Sequence, residues 1–140
     1  MSVIGFNIKS INAYLDEKNM KGNVSVNSTP TIESVQRRDL TAIGIADAIA
    51  IDFKFVTSYD PKAGEITMTG EILYQVKDAK KAIKQWNDDG KVDDEIMLDV
   101  LNTIFRRCLA KAVDLADLLR LPAPLRFPVI TLEKPKVSGN

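Results

Sequence analysis

The stretch IAIDFKFVTSYDPKAGEITMTGEILYQV, residues 49–76, decides the fold. In its first part Ile49, Ile51, Phe53 and Phe55 alternate with Ala50, Asp52 and Lys54. In its last part Ile66, Met68, Ile72, Tyr74 and Val76 alternate with Glu65, Thr67, Thr69, Glu71 and Leu73. Successive side chains of a strand point to opposite faces, so this period of two predicts two strands, each with one buried face. Between them Asp60-Pro61-Lys62-Ala63-Gly64 has the composition of a turn. The stretch therefore reads as an antiparallel hairpin. Its inward residues are odd-numbered on one strand and even-numbered on the other, so partners on one face must sum to an odd number. A four-residue loop, Pro61–Gly64, satisfies this and sets Phe55 opposite Gly70, where a ring can cover the bare glycine.

Upstream, Ile4, Phe6 and Ile8 alternate with Gly5, Asn7 and Lys9, which predicts a first strand. Ile11, Ala13 and Leu15 alternate with the opposite parity. A one-residue shift turns the apolar set over, so a bulge or bend is expected near Ser10. Asn19 to Asn23 reads as a turn. Val24 and Val26 suggest a weaker second strand, and Pro30, which cannot donate to a ladder, belongs at an edge or a bend. Residues 33–46 mix charged and small apolar side chains and read as a long connection with a short extension of strand.

Downstream the period changes. Ala79, Ile83 and Trp86 fit a short amphipathic helix, ended by Asn87-Asp88-Asp89-Gly90. Asp93 is then a good N-cap, with Val92 and Met97 spaced as a hydrophobic staple and Asp94 and Glu95 at the positive end of the helix dipole. The second helix runs to about Arg120, where Pro122 stops it. The following residues, Pro-Ala-Pro-Leu-Arg-Phe-Pro-Val-Ile, dictate an extended segment packed by Leu125, Phe127, Val129 and Ile130. The expected organisation is one α+β domain over residues 1–132, an antiparallel sheet with one long and one short helix, and a frayed tail over 133–140.

The long helix gives the main functional signal. On a wheel its apolar residues cover on the order of 180°, whereas packing on one sheet uses a stripe of about 100°. Leu98, Phe105 and Leu109 lie at one margin of this arc, and Val100 and Leu118 at the other. The surplus is open to two readings: cover by the chain's own short helix and proline-rich segment, or contact with another subunit or an apolar ligand. Cys108, in the middle of the arc, is expected to be a buried small hydrophobe.

Composition limits the chemistry. The chain has 140 residues with 19 Lys+Arg against 19 Asp+Glu, so no global field draws it to nucleic acid or an anionic membrane. His is absent and Cys108 is the single cysteine, which excludes Ser-His-Asp and Cys-His catalysis, an intrachain disulfide and a thiolate zinc cluster. No metal and no cofactor is expected. Arg37-Arg38 and Arg106-Arg107 lack the aromatic interleaving of nucleic-acid binders. Asp88-Asp89 and Asp93 to Glu95 lack the ligand spacing of a calcium loop, and Gly64 and Gly70 do not form a phosphate loop. There is no secretory signal pattern and no apolar run near the ~20 residues that span a bilayer, so a cytoplasmic location without membrane insertion is expected.

The order of parts resembles SecB, the protein-export chaperone. A long first strand, a second strand with a broad connection, a hairpin, a long helix and a Pro-punctuated tail match over roughly Val3 to Ile130. The most local element is the helix exit, where Leu121-Pro122 and then Pro128-Val129 look like that family's spacing of apolar residue, proline and later Pro-Val. The resemblance implies a four-stranded antiparallel sheet with both helices on one face, assembly as a dimer or dimer of dimers, and capture of unfolded or extended polypeptides in apolar grooves without nucleotide. It makes Leu98, Val100, Phe105, Leu109, Leu118, Leu125 and Phe127 the expected polypeptide-binding or oligomer surface. The chain departs from the pattern at Leu119-Arg120, where the family has glycine, and in lacking the acidic excess presented to the motor SecA. Two other readings stand beside the chaperone, a non-enzyme: an oligomeric structural or adaptor subunit with one fixed protein partner, and a small-ligand enzyme using carboxylates and lysines.

Overall fold

The computed structural model describes residues 2–20 and 22–125. Four strands, β1 (Ser2–Leu15), β2 (Ser25–Leu40), β3 (Ile45–Asp60) and β4 (Gly64–Gln75), precede two helices, α1 (Ala79–Asp89) and α2 (Asp94–Leu119). The strands form one antiparallel sheet in the order β1-β4-β3-β2. The hairpin read from the period-two stretch is its centre, and β1 and β2 are its edges. Residues between β1 and β2 therefore carry the chain from one edge to the other.

The hairpin has the expected faces but a different register. Phe53, not Phe55, stands opposite Gly70, and Phe55 pairs with Met68. Pairing continues to Tyr59 and Gly64, with the Ala63 amide donating to the Tyr59 carbonyl at 2.8 Å. The enclosed turn, residues 60–63, is thus displaced by one residue from Pro61–Gly64 at the same length, and Lys62 takes a left-handed conformation within it. Gly64 is required by close approach: a Cβ there would meet the Tyr14 carbonyl at 2.6 Å and Leu121 at 3.0 Å. Parity allowed either register, and the close approach of Gly64 to Tyr14 and Leu121 accompanies the one present.

The first strand breaks register between Ile8 and Ser10, as the parity change requires, and again between Val3 and Gly5. The second strand is the larger correction. Residues 33–40 are not a connection; β2 continues to pair with β3 as far as Leu40, with register shifts between Ile32 and Ser34 and between Arg38 and Leu40. A register shift between Ile32 and Ser34 hides this in the sequence. It interrupts the alternation and turns Val35 inward, where it is buried opposite Ile51. Pro30 sits in this edge strand, where a missing donor costs least.

The core lies between one sheet face and the helices. Ile49, Ile51, Phe53, Phe55 and Tyr59 of β3 and Ile66, Met68, Ile72 and Tyr74 of β4 are fully covered. Ile96, Val100, Ile104, Cys108, Ala112 and Ala116 of α2 close over them, and Ala79 and Ala82 bring α1 into the same cluster. The helix ends are chemically specified. Asp78 accepts from the Lys81 amide, the Asp47 carboxylate accepts from the Ala79 amide, and left-handed Gly90 ends α1. Asp93 is the N-cap of α2 by position, but its side chain makes no capping bond there. At the other end Arg120 adopts the left-handed conformation and donates to the Asp117 carbonyl at 3.2 Å, and Leu121 donates to the Ala116 carbonyl at 2.8 Å, a close that satisfies two of the last carbonyls. Phe127, Val129, Ile130 and the tail expected over 133–140 lie outside the described residues.

Candidate interaction surface

The buried stripe of α2 advances in steps of four residues, from Ile96 through Val100, Ile104, Cys108 and Ala112 to Ala116. Each such step exceeds a full turn by about 40°, so the stripe drifts around the helix by about 200° along its length. A narrow stripe that drifts looks, on a wheel, like a wide one. Much of the broad apolar arc is therefore core. Val100, expected at a margin of a free face, is fully buried and belongs to the packing under the helix.

What remains free is a smaller set. Leu98 is 63% exposed, Leu118 78% and Phe105 36%. Leu98 and Leu118 lie far apart on the wheel, yet both project away from the core because the buried stripe has moved between them. Leu109 is half-buried, as are Met97, Leu115 and Leu119, all packed against the core, and Leu101 is half-buried as well. Leu125 is half-buried. Phe105 is held rather than loose: its ring meets Phe55 edge-on at 5.6 Å. Nearby, Arg107 lies 5.3 Å over the Phe6 ring, and Phe6 stacks on Phe53 at 5.4 Å.

Sequence reading missed a second apolar group. Ile4, Ile11 and Tyr14 of β1 are also exposed. Ile11 shares the helix-side face with Met68, its ladder partner, but on the edge strand it remains 46% exposed. The two breaks in the alternation of residues 3–15 were the available signal, because a bulged edge strand cannot keep every apolar side chain over the core.

The opposite sheet face is polar and internally tied. Lys9 of β1 reaches Asp52 of β3 at 3.3 Å and Glu71 of β4 at 3.4 Å. Arg38 of β2 donates to Glu71 at 2.9 Å, and Ser34 donates to Asp52 at 2.9 Å. Each edge strand thus supplies a cation and each central strand a carboxylate. Arg38 pairs with Ala48 in the ladder, so its side chain must run past Ala50 to reach Glu71. Small residues on β3 permit that path, and both alanines are buried although they lie on the uncovered face. Hydrogen bonding and charge from Asp52, then the charge of Glu71, raise the Lys9 pKa.

Burial pushes the Cys108 thiol up to about 11 and holds it neutral. Burial also pushes the Tyr59 phenol up to about 12, where it donates to the Pro122 carbonyl at 2.7 Å. Tyr74 is raised in the same way, further helped by its 2.6 Å bond to the Asp99 carboxylate. These groups brace the helix and its exit. Among the described residues no set of three or more Cys, Asp or Glu is arranged to hold a metal ion, and no helix is long and apolar enough to cross a membrane.

No family model and no curated protein sequence matches the chain. A solved structure does: a SecB-like chaperone of Mycobacterium tuberculosis, in complex with a ChAD peptide from an antitoxin. The match covers 95% of this chain and 92% of the other, with a TM-score of 0.54 and 10% identity. The fold is SecB-like. At this identity the likeness concerns the SecB-like fold itself, the four-stranded sheet with its two helices, and the expected fold class is confirmed.

Proposed function

We propose that the chain is a SecB-like molecular chaperone, a holdase that binds unfolded or extended polypeptides through apolar surface without nucleotide. One observation carries the reading: Leu98, Phe105 and Leu118 remain exposed on the long helix of a SecB-like fold. Burying one such side chain is worth ~1.5–3 kcal/mol, so a few contacts hold an extended apolar segment reversibly. The similar Mycobacterium tuberculosis protein was solved with a peptide bound, which supports polypeptide clients for this chain. Leu109, Leu125 and Phe127 are proposed as further contacts, and Val100 is not, because it has no accessible surface.

The same reading includes self-association through α2 to a dimer or dimer of dimers, and work in the cytoplasm on chains that have not yet folded. The equal numbers of acidic and basic residues add no long-range repulsion between copies. The deciding experiment is suppression of aggregation of a chemically unfolded client by the purified chain, with Leu98→Glu and Leu118→Glu as variants. Suppression by the unmutated chain that both substitutions weaken, with the fold intact by circular dichroism, supports the holdase. Absence of suppression over a range of clients refutes it and leaves an adaptor with one fixed partner.

A further inference from the structure

Lysine is concentrated at one end of α1 in an order that works against the helix. Lys77, Lys80, Lys81 and Lys84 are all exposed, and none takes part in an ion pair among the described residues. Lys80 and Lys81 stand in the first turn, which holds no acidic residue. Asp88 and Asp89 stand in the last, which holds no basic one. A helix is positive at its N-terminus and negative at its C-terminus, so this is the reverse of the stabilising order. By contrast α2 begins with Asp94 and Glu95, as the dipole favours. The Asp78 carboxylate at the start of α1 is engaged in capping by the Lys81 amide. Lysines and helix dipole together make a local positive excess on a chain of zero formal net charge.

The packing of α1 turns these lysines outward. Ala79 and Ala82 are buried, and Ile83 and Trp86 pack against the core. At about 100° per residue, Lys80, Lys81 and Lys84 fall on the opposite side of the helix. Beside them a cleft of about 380 Å³ lies between α1 and the start of α2. Val76, Ala82 and Ile96 form its buried lining, Lys77 and Lys81 come from the α1 side, and Asp93 from the α2 side. An apolar lining beside a row of unpaired ammonium groups fits a segment in which carboxylates flank an apolar side chain.

We propose that this face of α1 docks an acidic polypeptide segment. Its carboxylates meet Lys77, Lys80, Lys81 and Lys84, and one apolar side chain enters the cleft. Charge complementarity steers the segment in, and the cleft fixes its position. Nucleic acid fits less well. The cations are all lysines, without the planar fork that matches phosphate, and no exposed aromatic side chain stands among them for stacking. None of Leu98, Phe105 and Leu118 lines this cleft, so the site does not depend on the holdase reading.

The test uses the full chain and a dye-labelled peptide repeating Glu-Glu-Leu, with fluorescence anisotropy at low salt. The peptide should bind, and binding should weaken as salt is raised. Lys80→Glu, Lys81→Glu and Lys84→Glu together should weaken it about tenfold. The triple variant should keep its fold, because acidic side chains in the first turn suit the dipole. In nitrogen-15 spectra the peptide should shift the amides of residues 77–85. Absence of binding at low salt overturns the proposal, as does equal affinity of the triple variant and the unmutated chain. Equal binding of a peptide repeating Gln-Gln-Leu also overturns it. Leu98→Glu and Leu118→Glu should bind the acidic peptide as the unmutated chain does, and loss of binding there would overturn the proposal in favour of the client surface. Tighter binding of an oligothymidylate that the lysine substitutions abolish would overturn it in favour of nucleic acid.

Discussion

Phe53 covers Gly70 across the central hairpin, and it does so in a stack that continues through Phe6 to Arg107. A Cβ on Gly70 would meet Phe53 Cζ at 2.8 Å on one side and collide with the Asn7 carbonyl on the other. The glycine lets an edge strand, a central strand and an aromatic ring approach one another at a single point.

Gly70→Ala should therefore destabilise the fold although alanine is small and apolar. The ring has some freedom to move but the β1 carbonyl has little, so a loss of roughly 1–3 kcal/mol is expected from overpacking. Urea unfolding measures it. Gly70→Val should cost more. A midpoint unchanged by either substitution would mean that β1 is not held against β4 at this point.

Apolar residues of α2 should separate by the side of the helix they occupy. Ile104→Glu buries a charge in the core and should unfold the chain. Leu98→Glu and Leu118→Glu should leave unfolding within about 0.5 kcal/mol of the unmutated chain, as surface substitutions usually do. Phe105→Glu should fall between, because its ring also packs on Phe55. Sedimentation of the same variants tests self-association. A unmutated chain that sediments as a monomer at micromolar concentration would remove the proposed oligomer.

Stability should fall at alkaline pH. Tyr59 rises from its ordinary 10.0 to about 12 in the folded chain, and Cys108 from 9.0 to about 11. Both groups bind a proton more tightly when folded. Their contribution is thus complete below the unfolded values and is lost as pH rises through the folded ones. Denaturant midpoints should fall between about pH 9 and 12, and the slope should be shallower in Tyr59→Phe. The phenylalanine variant should also lose the anchor on Pro122, seen as faster amide exchange at Leu121.

Cys108 should react with thiol reagents only as fast as the helix opens. It is fully buried and held as a neutral thiol, and the thiolate is the reactive form. Stoichiometric labelling within seconds in the absence of denaturant would contradict its place in the core.

The uncovered sheet face should respond to loss of Arg38. Glu71 is nearly buried and takes charge from both Arg38 and Lys9. Arg38→Met should cost about 1–2 kcal/mol, less than a fully buried pair because Arg38 itself is half exposed. The effect should shrink in high salt. Amide exchange should quicken in β2 more than in β1, since Lys9 still ties β1 to Asp52 and Glu71.

Much of this architecture is written locally. The period of two in residues 49–76 made the hairpin and its inward faces legible, because strand side chains alternate whatever they pack against. The change of parity near Ser10 announced the bulge between Ile8 and Ser10. Gly90 and Pro122 marked the helix ends through backbone chemistry that needs no distant partner, whereas the Asp78 cap of α1 was not read from the sequence and Asp93, which was, makes no capping bond. The short period between two strands also bounded the register to one parity, and Cys108 was placed in the core from its position among apolar helix neighbours.

Other features depended on neighbours remote in the sequence. Parity admits Phe53 or Phe55 opposite Gly70, and the choice of Phe53 goes with contacts remote in the sequence, such as the approach of Gly64 to Tyr14 and Leu121. The strand over residues 33–40 was illegible because its pairing with β3 passes through a bulge that scrambles its alternation. The sequence also determined that α2 has apolar residues around half its circumference, but not what they do. A wide stripe and a narrow stripe that drifts give the same wheel, and the twist between a helix and the sheet beneath it decides which is present. That twist buries Val100 and leaves Leu98 and Leu118 exposed, because burial follows the path of the helix across all four strands rather than a fixed angle around its axis.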